Sequence, residues 1–237
     1  MGHSFPIVTV TDADVLFEND WQKSCYGVFE TFPRAGAICT TPSSKVLRRN
    51  NAGLLVGKLF SRKLRFTEIP NPEARIHFAK SIDNPSINNE YHLKYNLTIE
   101  KKGLRAVVGA SHFVATYRGD IFDTPVMRYS AFRLGGTSES EILDQPVDKQ
   151  GFWRLGTEQN FTYHMGNTLE PWMAATVKKL KDHSKVNIPQ PKLSNVHSSG
   201  IINNIRRFIF KKIMIREPLW RWVLRYKGLS KKAAKNY

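Results

Sequence analysis

The sequence predicts an α+β protein: a mostly antiparallel β body over about residues 1–165, followed by a helix and a basic amphipathic helical C-terminal segment. Three observations support this fold class. Apolar and polar residues alternate with a period of two over residues 91–100, as in a half-buried strand. Short apolar runs broken by Pro, Gly and Asn surround that alternation. After residue 167 the apolar spacing changes to three and four residues, which is typical of amphipathic helices.

The N-terminal part of the chain predicts short elements. A β-branched run at residues 7–10 favours a strand. Thr11 and Asp14 are suitable caps for a helix over residues 12–24. Residues 26–40 contain two apolar runs separated by a break with proline and glycine, which predicts two strands joined by a turn. The polar residues that follow are expected to form a connection.

The centre of the chain carries the clearest strand signal. Residues 52–80 hold three apolar stretches with polar or proline punctuation, and residues 81–90 are expected to be a loop. Residues 91–117 predict a hairpin, because Gly103 separates two strand-like runs and tolerates the positive φ of a tight turn. Further strands are expected over residues 126–134, 152–155 and 160–165, the last two as a pair.

Helical spacing dominates after residue 167. Asn167 and Glu170 resemble a capping box, and the helix that they begin ends near residue 183 in lysines, where the helix dipole favours cations. Residues 185–199, which are rich in proline and serine, are expected to be a linker. Two basic helices separated by a proline follow. The predicted organisation is a β-rich body with one packed helix over residues 1–184, the linker, and the basic helical segment over residues 200–237.

The positive charge is concentrated at the C-terminal end. The chain has 36 Lys and Arg against 20 Asp and Glu, a formal net charge of +16. Residues 201–237 contain eleven of those cations and a single acid, a net charge of +10. A concentration of this kind points to a polyanionic partner, either nucleic acid or the head groups of an anionic membrane.

The C-terminal segment supplies the candidate binding residues. The cations expected to contact a polyanion are Arg206, Arg207, Lys211, Lys212, Arg216, Arg221, Arg225 and Lys227. The side chains expected to contact a membrane are Phe208, Trp220 and Trp222. Phe210 and Met214 lie off the main apolar stripe, which favours burial or a membrane over a free nucleic-acid arm. The alternative is an ordinary pair of amphipathic helices, docked on the β body with a solvated basic face.

Three functional hypotheses follow. The first is a non-enzymatic protein that binds RNA or an anionic membrane; its layout is similar to that of viral matrix and plant-virus movement proteins, a likeness of arrangement without a shared motif. The second is a small-molecule enzyme or ligand carrier, with an aromatic-lined pocket formed by Trp153, Tyr163, His164 and Trp172. The third is a subunit of a larger ribonucleoprotein assembly, in which the basic end binds a protein partner or a second copy of the chain.

No motif points to a catalytic, metal or cofactor site. The seven histidines are scattered without metal-ligand spacing, and no serine or cysteine stands in a nucleophile motif. We therefore expect no metal and no cofactor. No apolar stretch reaches the roughly 20 residues needed to cross a bilayer, so no transmembrane segment is expected. The first residues lack the basic and apolar regions of a signal peptide, so a cytoplasmic protein is expected, with peripheral membrane attachment as the alternative location. Gly2 invites N-myristoylation, although Pro6 stands where that motif has Ser or Thr.

Overall fold

A seven-stranded sheet forms the centre of the fold. The computed structural model describes residues 5–122, 138–181, 187–196 and 199–237. Its strands are β1 (Ile7–Thr11), β2 (Val15–Phe17), β3 (Ala35–Cys39), β4 (Leu64–Glu68), β5 (Tyr95–Lys101), β6 (Leu104–Val108), β7 (Val114–Arg118), β8 (Trp153–Gly156) and β9 (Thr162–His164). The large sheet has the order β1-β7-β3-β8-β6-β5-β4, and β2 pairs with β9 in a small second sheet. Within the described residues, every neighbouring pair except β3 with β8 is antiparallel, which confirms the predicted α+β class.

Helices occur between the strands and are concentrated at the C-terminal end. They are α1 (Trp21–Thr31), α2 (Ala52–Gly57), α3 (Glu73–Ser81), α4 (Glu90–Lys94), α5 (Gln145–Lys149), α6 (Pro171–Lys181), α7 (Gly200–Ile209), α8 (Glu217–Tyr226) and α9 (Lys231–Asn236). A first π-helical turn, Ser140–Asp144, leads into α5, and a second, Phe210–Met214, continues α7. The helix predicted after residue 167 and the two basic helices are confirmed as α6, α7 and α8.

The predicted hairpin is confirmed as β5 and β6, but it begins later than the alternation suggests. Lys102 and Gly103, with φ of 51° and 78°, form its two-residue turn between the paired Lys101 and Leu104. The first alternating residues instead form α4. The Asn89 side chain caps that helix by accepting two main-chain N–H groups, so a local capping box overrides the period-two pattern.

The N-terminal helix lies further along the chain than predicted. Residues predicted as a helix over 12–24 include β2, because pairing with β9 stabilises an extended backbone there. The first apolar run of residues 26–40, predicted as a strand, is the end of α1. Cys25, Val28 and Phe29 are buried at helical spacing, so this run has a period of 3.6 rather than two.

The predicted strands over residues 152–155 and 160–165 both form, as β8 and β9, but they do not pair with each other. All four residues of β8 are buried, and β8 lies between β3 and β6 in the large sheet. A buried central strand needs a hydrogen-bonding neighbour on each side, and both places are taken. The predicted strand over residues 126–134 and Gly2 lie outside the described residues.

One hydrophobic cluster joins the β body and the C-terminal helices. Side chains of α1 and the large sheet share it with Phe210, Trp220 and Ala233. Residues 187–196 have no regular secondary structure, but Leu193 packs on the same cluster, and the Arg118 guanidinium donates to the main-chain oxygen of Ser194 at 3.1 Å. Residues 199–237 are therefore docked on the body. The last residues of the segment form the helix α9, whose two alanines are buried while its lysines are exposed.

Candidate functional site

One face of α7 and the second π turn attaches the segment to the body. Asn203, Arg207, Phe210 and Met214 follow each other at intervals of four, three and four residues, so they share one side of the helix. The Asn203 amide donates to the main-chain oxygens of Asp148 and Lys149, at 2.8 Å in both bonds. The Arg207 guanidinium forms an ion pair with Asp148 at 3.2 Å. This inward face is polar at its start and apolar at its end.

The opposite face carries large apolar side chains that the protein leaves exposed. Ile201 is 75% exposed and Phe208 is 61% exposed, although both belong to the widest apolar stripe of α7. We call the exposed apolar side chains of α7, the second π turn and α8 the outer face: Ile201, Ile202, Ile205, Phe208, Ile213, Leu219, Trp222 and Tyr226. Soluble monomers rarely leave so many large apolar side chains exposed together on consecutive helices.

The two tryptophans of α8 point in opposite directions. Trp220 is only 2% exposed and meets the ring of Phe210 edge-on at 6.5 Å, whereas Trp222 is 45% exposed. Trp222 stacks on Tyr226 at 5.2 Å, and Tyr226 meets the exposed ring of Phe60 at 6.2 Å. Of the predicted membrane contacts, Phe208 and Trp222 are thus at the surface. Trp220 is corrected to a core residue, because its ring is enclosed by the body.

The predicted polyanion-binding cations divide into an outward group and an inward group. The outward group is exposed and comprises Lys211, Lys212, Arg216, Arg221 and Arg225. Arg221 forms an ion pair with Glu217 at 3.0 Å. Among the residues that the structure describes, no carboxylate forms an ion pair with the other four. Four cations are therefore available to an external anion.

The inward group consists of Arg206, Arg207 and Lys227, whose side chains lie against the protein body. Arg207 is bound to Asp148, as described above, and Arg206 is half-buried with its guanidinium directly over Gly57. Lys227 is buried, and its ammonium donates to the main-chain oxygen of Ser61 at 3.0 Å. The expectation that Arg207 and Lys227 bind a polyanion is corrected, because their charged groups contact the body, whereas the expectation for Arg206 stays a prediction.

The predicted aromatic pocket is only partly assembled. Tyr163 and Trp172 both meet the ring of His77, at 5.3 and 4.6 Å. His164 lies nearby, where it forms an ion pair with Asp14 at 3.2 Å. Trp153 is a member of the main hydrophobic cluster, beside α2. The rings of Tyr163, Trp172 and His77 pack against one another, as in an aromatic core. The His164 ring packs against Phe78 and Phe113.

A cleft of about 530 Å³ lies beside the second π turn. Its inner part holds Arg154, Asp144 and His112. Arg154 stands between Trp153 and Leu155, two members of the main cluster, so it leaves the opposite face of the sheet. Its guanidinium forms an ion pair with Asp144 at 2.7 Å and donates to the main-chain oxygen of Ala110.

The same carboxylate also orients a histidine. The His112 Nδ1–H donates to Asp144 Oδ2 at 3.2 Å, and this hydrogen bond raises the pKa of His112 above its ordinary value. Sequence reasoning missed this cleft. The available signal was a charged residue, Arg154, inside a short strand whose other residues are apolar, because such a residue must find an internal partner.

Comparisons leave the function to be inferred from geometry. No protein-family model, curated protein or solved structure matches the chain. Among the helices of the described residues, none combines the length and the apolar character needed to span a bilayer. Those residues also include no group of three His, Cys, Asp or Glu side chains placed to hold a metal ion.

Proposed function

We propose that this chain is a peripheral membrane-binding protein whose outer face docks on an anionic bilayer. The observation that carries the proposal is the exposure of Ile201, Phe208 and Trp222, together with exposed cations that form no ion pair with a carboxylate of the described residues. An interfacial helix has this composition, because its apolar side chains enter the boundary between head groups and acyl chains while its cations meet lipid phosphates. The buried inward face of α7 holds the helix on the body, which leaves the outer face for the bilayer.

The energies favour binding once both kinds of side chain contribute. Full burial of a large apolar side chain is worth about 1.5–3 kcal/mol, so partial insertion of Phe208 or Trp222 contributes about 1 kcal/mol each. A Lys or Arg near an anionic leaflet contributes about 1 kcal/mol. Lys211, Lys212 and Arg225 therefore add a comparable amount at low salt. The cytoplasmic leaflet is the proposed location, since it carries the negative surface potential that these cations require.

The isoleucines of the outer face favour a membrane over RNA. Binding to single-stranded nucleic acid uses cations for phosphates and aromatic rings for bases. Ile201, Ile205 and Ile213 offer neither, yet all three are exposed. In addition, Trp222 and Tyr226 already stack on each other at an interplanar angle of 8°, which occupies one side of each ring. Binding to RNA is an alternative result of the test below.

Vesicle co-sedimentation of the full chain tests the proposal. We expect retention on vesicles of phosphatidylcholine with phosphatidylserine, and weaker retention on phosphatidylcholine alone. The double variant Phe208→Ser/Trp222→Ser loses about 2 kcal/mol, or about 30-fold in partitioning. Leu169→Ser is the matched control, because Leu169 is 86% exposed but lies outside the outer face.

A second pair of variants tests the charges. Lys212→Gln/Arg225→Gln is expected to weaken binding at low salt and to have little effect at high salt, where the charges are screened. Lys23→Gln, at an exposed position of α1, serves as the control. Equal retention on neutral and anionic vesicles contradicts the proposal, as does salt-dependent retention on RNA with none on vesicles. A stable dimer that covers the outer face and does not sediment with vesicles contradicts it as well.

A further inference from the structure

The two carboxylates inside the cleft beside the second π turn are each paired with an arginine. Asp144 forms an ion pair with Arg154 at 2.7 Å and accepts a hydrogen bond from His112 at 3.2 Å. Asp148 is paired with Arg207 at 3.2 Å and accepts a main-chain N–H at the start of α2 at 3.1 Å. Each acid is therefore paired with a cation of the protein itself, so its charge is balanced within the fold.

The rim of the cleft adds positive charge that these acids do not balance. Arg49 and Lys211 line the cleft, and neither forms an ion pair with a carboxylate in the part of the chain that the structure describes. Arg48 lines it too, although it shares its charge with Glu217 at 2.8 Å. Deeper in, Arg154 is 2% exposed, and its Nε–H has no partner among the described residues. The rim of the cleft is thus cationic, whereas at its floor the charge of Arg154 is balanced by Asp144.

From this arrangement we propose that the cleft binds a phosphate monoester. Such a group carries nearly two negative charges and three acceptor oxygens, which matches a site with several cations and few free acceptors. The hydroxyls of Ser111 and Ser140 also line the cleft and supply neutral donors. Phe210 and Ile215 provide an apolar wall for the organic part of the ligand. The volume of about 530 Å³ lies within the range of roughly 300–1,000 Å³ that is usual for small-ligand sites.

The phosphate has two sources, a soluble phosphorylated metabolite or the head group of a lipid. Lys211 lines the cleft and also belongs to the outward cations of the segment, so the cleft adjoins the proposed membrane-docking surface. The cleft proposal does not depend on membrane binding, because a soluble monoester reaches it from water.

Titration calorimetry of the full chain with glycerol 3-phosphate is the first arm of the test. We expect saturable binding at one site. Arg49→Gln and Lys211→Gln each remove one charged hydrogen bond and are expected to weaken binding about tenfold. Lys212→Gln is the matched control: Lys212 is exposed on the same turn, does not line the cleft, and is expected to leave binding unchanged.

The second arm compares vesicles that contain phosphatidic acid, a monoester, with vesicles that contain phosphatidylglycerol, a diester. A preference for phosphatidic acid that Arg49→Gln abolishes identifies a lipid head group as the source. Binding of glycerol 3-phosphate without that preference identifies a soluble source. Absence of saturable binding in both arms overturns the proposal, and so does binding that neither Arg49→Gln nor Lys211→Gln weakens. Loss of vesicle binding with intact binding of glycerol 3-phosphate contradicts the membrane proposal alone.

Discussion

The opposite orientations of Trp220 and Trp222 predict that two identical substitutions, two residues apart, have different consequences. Trp220→Ala leaves a cavity against Phe210 and removes the ring below the Arg48 guanidinium, which lies 5.4 Å from its centre. Truncation of a buried tryptophan costs about 3–5 kcal/mol, a large share of the about 5–15 kcal/mol that stabilises a domain. Trp222→Ala removes an exposed ring whose main contact is the stack on Tyr226, worth about 1 kcal/mol.

Urea unfolding followed by far-UV circular dichroism measures both losses in the free energy of unfolding. We expect Trp220→Ala to lower that free energy by at least about 2 kcal/mol more than Trp222→Ala. Vesicle binding is expected to show the reverse order, since only Trp222 is at the surface. If Trp220→Ala does not fold, Trp220→Phe provides the comparison with a smaller cavity. Equal destabilisation by the two alanine variants, or a larger loss for Trp222→Ala, would refute the assigned orientations.

Three further outcomes are expected from the described contacts. Asn203→Ala removes both hydrogen bonds that the Asn203 amide donates to main-chain oxygens of α5 and should lower the free energy of unfolding by about 1–3 kcal/mol, measured by urea unfolding. The pKa of His112 is raised in the folded state by the hydrogen bond to Asp144, so the stability that this bond contributes is complete below the ordinary pKa of 6.5 and is lost as pH rises through the folded pKa. NMR titration should place that pKa above 6.5, and a lower value contradicts the hydrogen bond. Burial raises the pKa of Cys25 to about 12 and of Cys39 to about 11, so neither thiol should react with a thiol reagent at pH 8 until urea unfolds the chain.

Predictions from local signals succeed where a single element contains its own pattern. The hairpin of β5 and β6 is predictable because alternation and the Lys102-Gly103 turn agree over a few consecutive residues. The helices α6, α7 and α8 are predictable for the same reason, from apolar spacing and caps. The strand β2, which forms within the residues 12–24 that were predicted as a helix, is not predictable in this way. Its cause is pairing with β9, which lies far away in the sequence.

The direction in which α7 faces shows a different limit of sequence analysis. Its widest apolar stripe contains Ile201 and Phe208, and amphipathicity alone would place such a stripe in the core. The structure instead docks the helix through Asn203 and Arg207, which read as solvent-facing residues, and through Phe210 at the other end. The sequence feature that indicated this outcome was the pair of apolar residues off the stripe, Phe210 and Met214. A helix that is apolar on two sides docks through one side and leaves the other side for another partner.

The cleft is harder to predict from the sequence than any single element, because its residues come from five separate parts of the chain. Arg49, His112, Asp144, Arg154 and Lys211 share no local motif. They meet because β8 directs Arg154 away from the main cluster and because the two π turns border the same space. A single buried arginine in a strand predicts an internal acid, but it does not say which acid or what else gathers around the pair.

Three variants separate the two proposals, because Lys211 belongs to both sites whereas Lys212 and Arg49 each belong to one. Lys211→Gln removes a cation that belongs to both the outward group and the cleft, whereas Lys212→Gln affects only the surface and Arg49→Gln only the cleft. If a membrane delivers its own head group to the cleft, Arg49→Gln should weaken binding to phosphatidic acid vesicles although Arg49 is not on the outer face. If the outer face merely holds the protein near a membrane, Arg49→Gln should leave vesicle binding unchanged while it weakens glycerol 3-phosphate. A single cation at the cleft rim thereby decides whether docking and ligand recognition are one event or two.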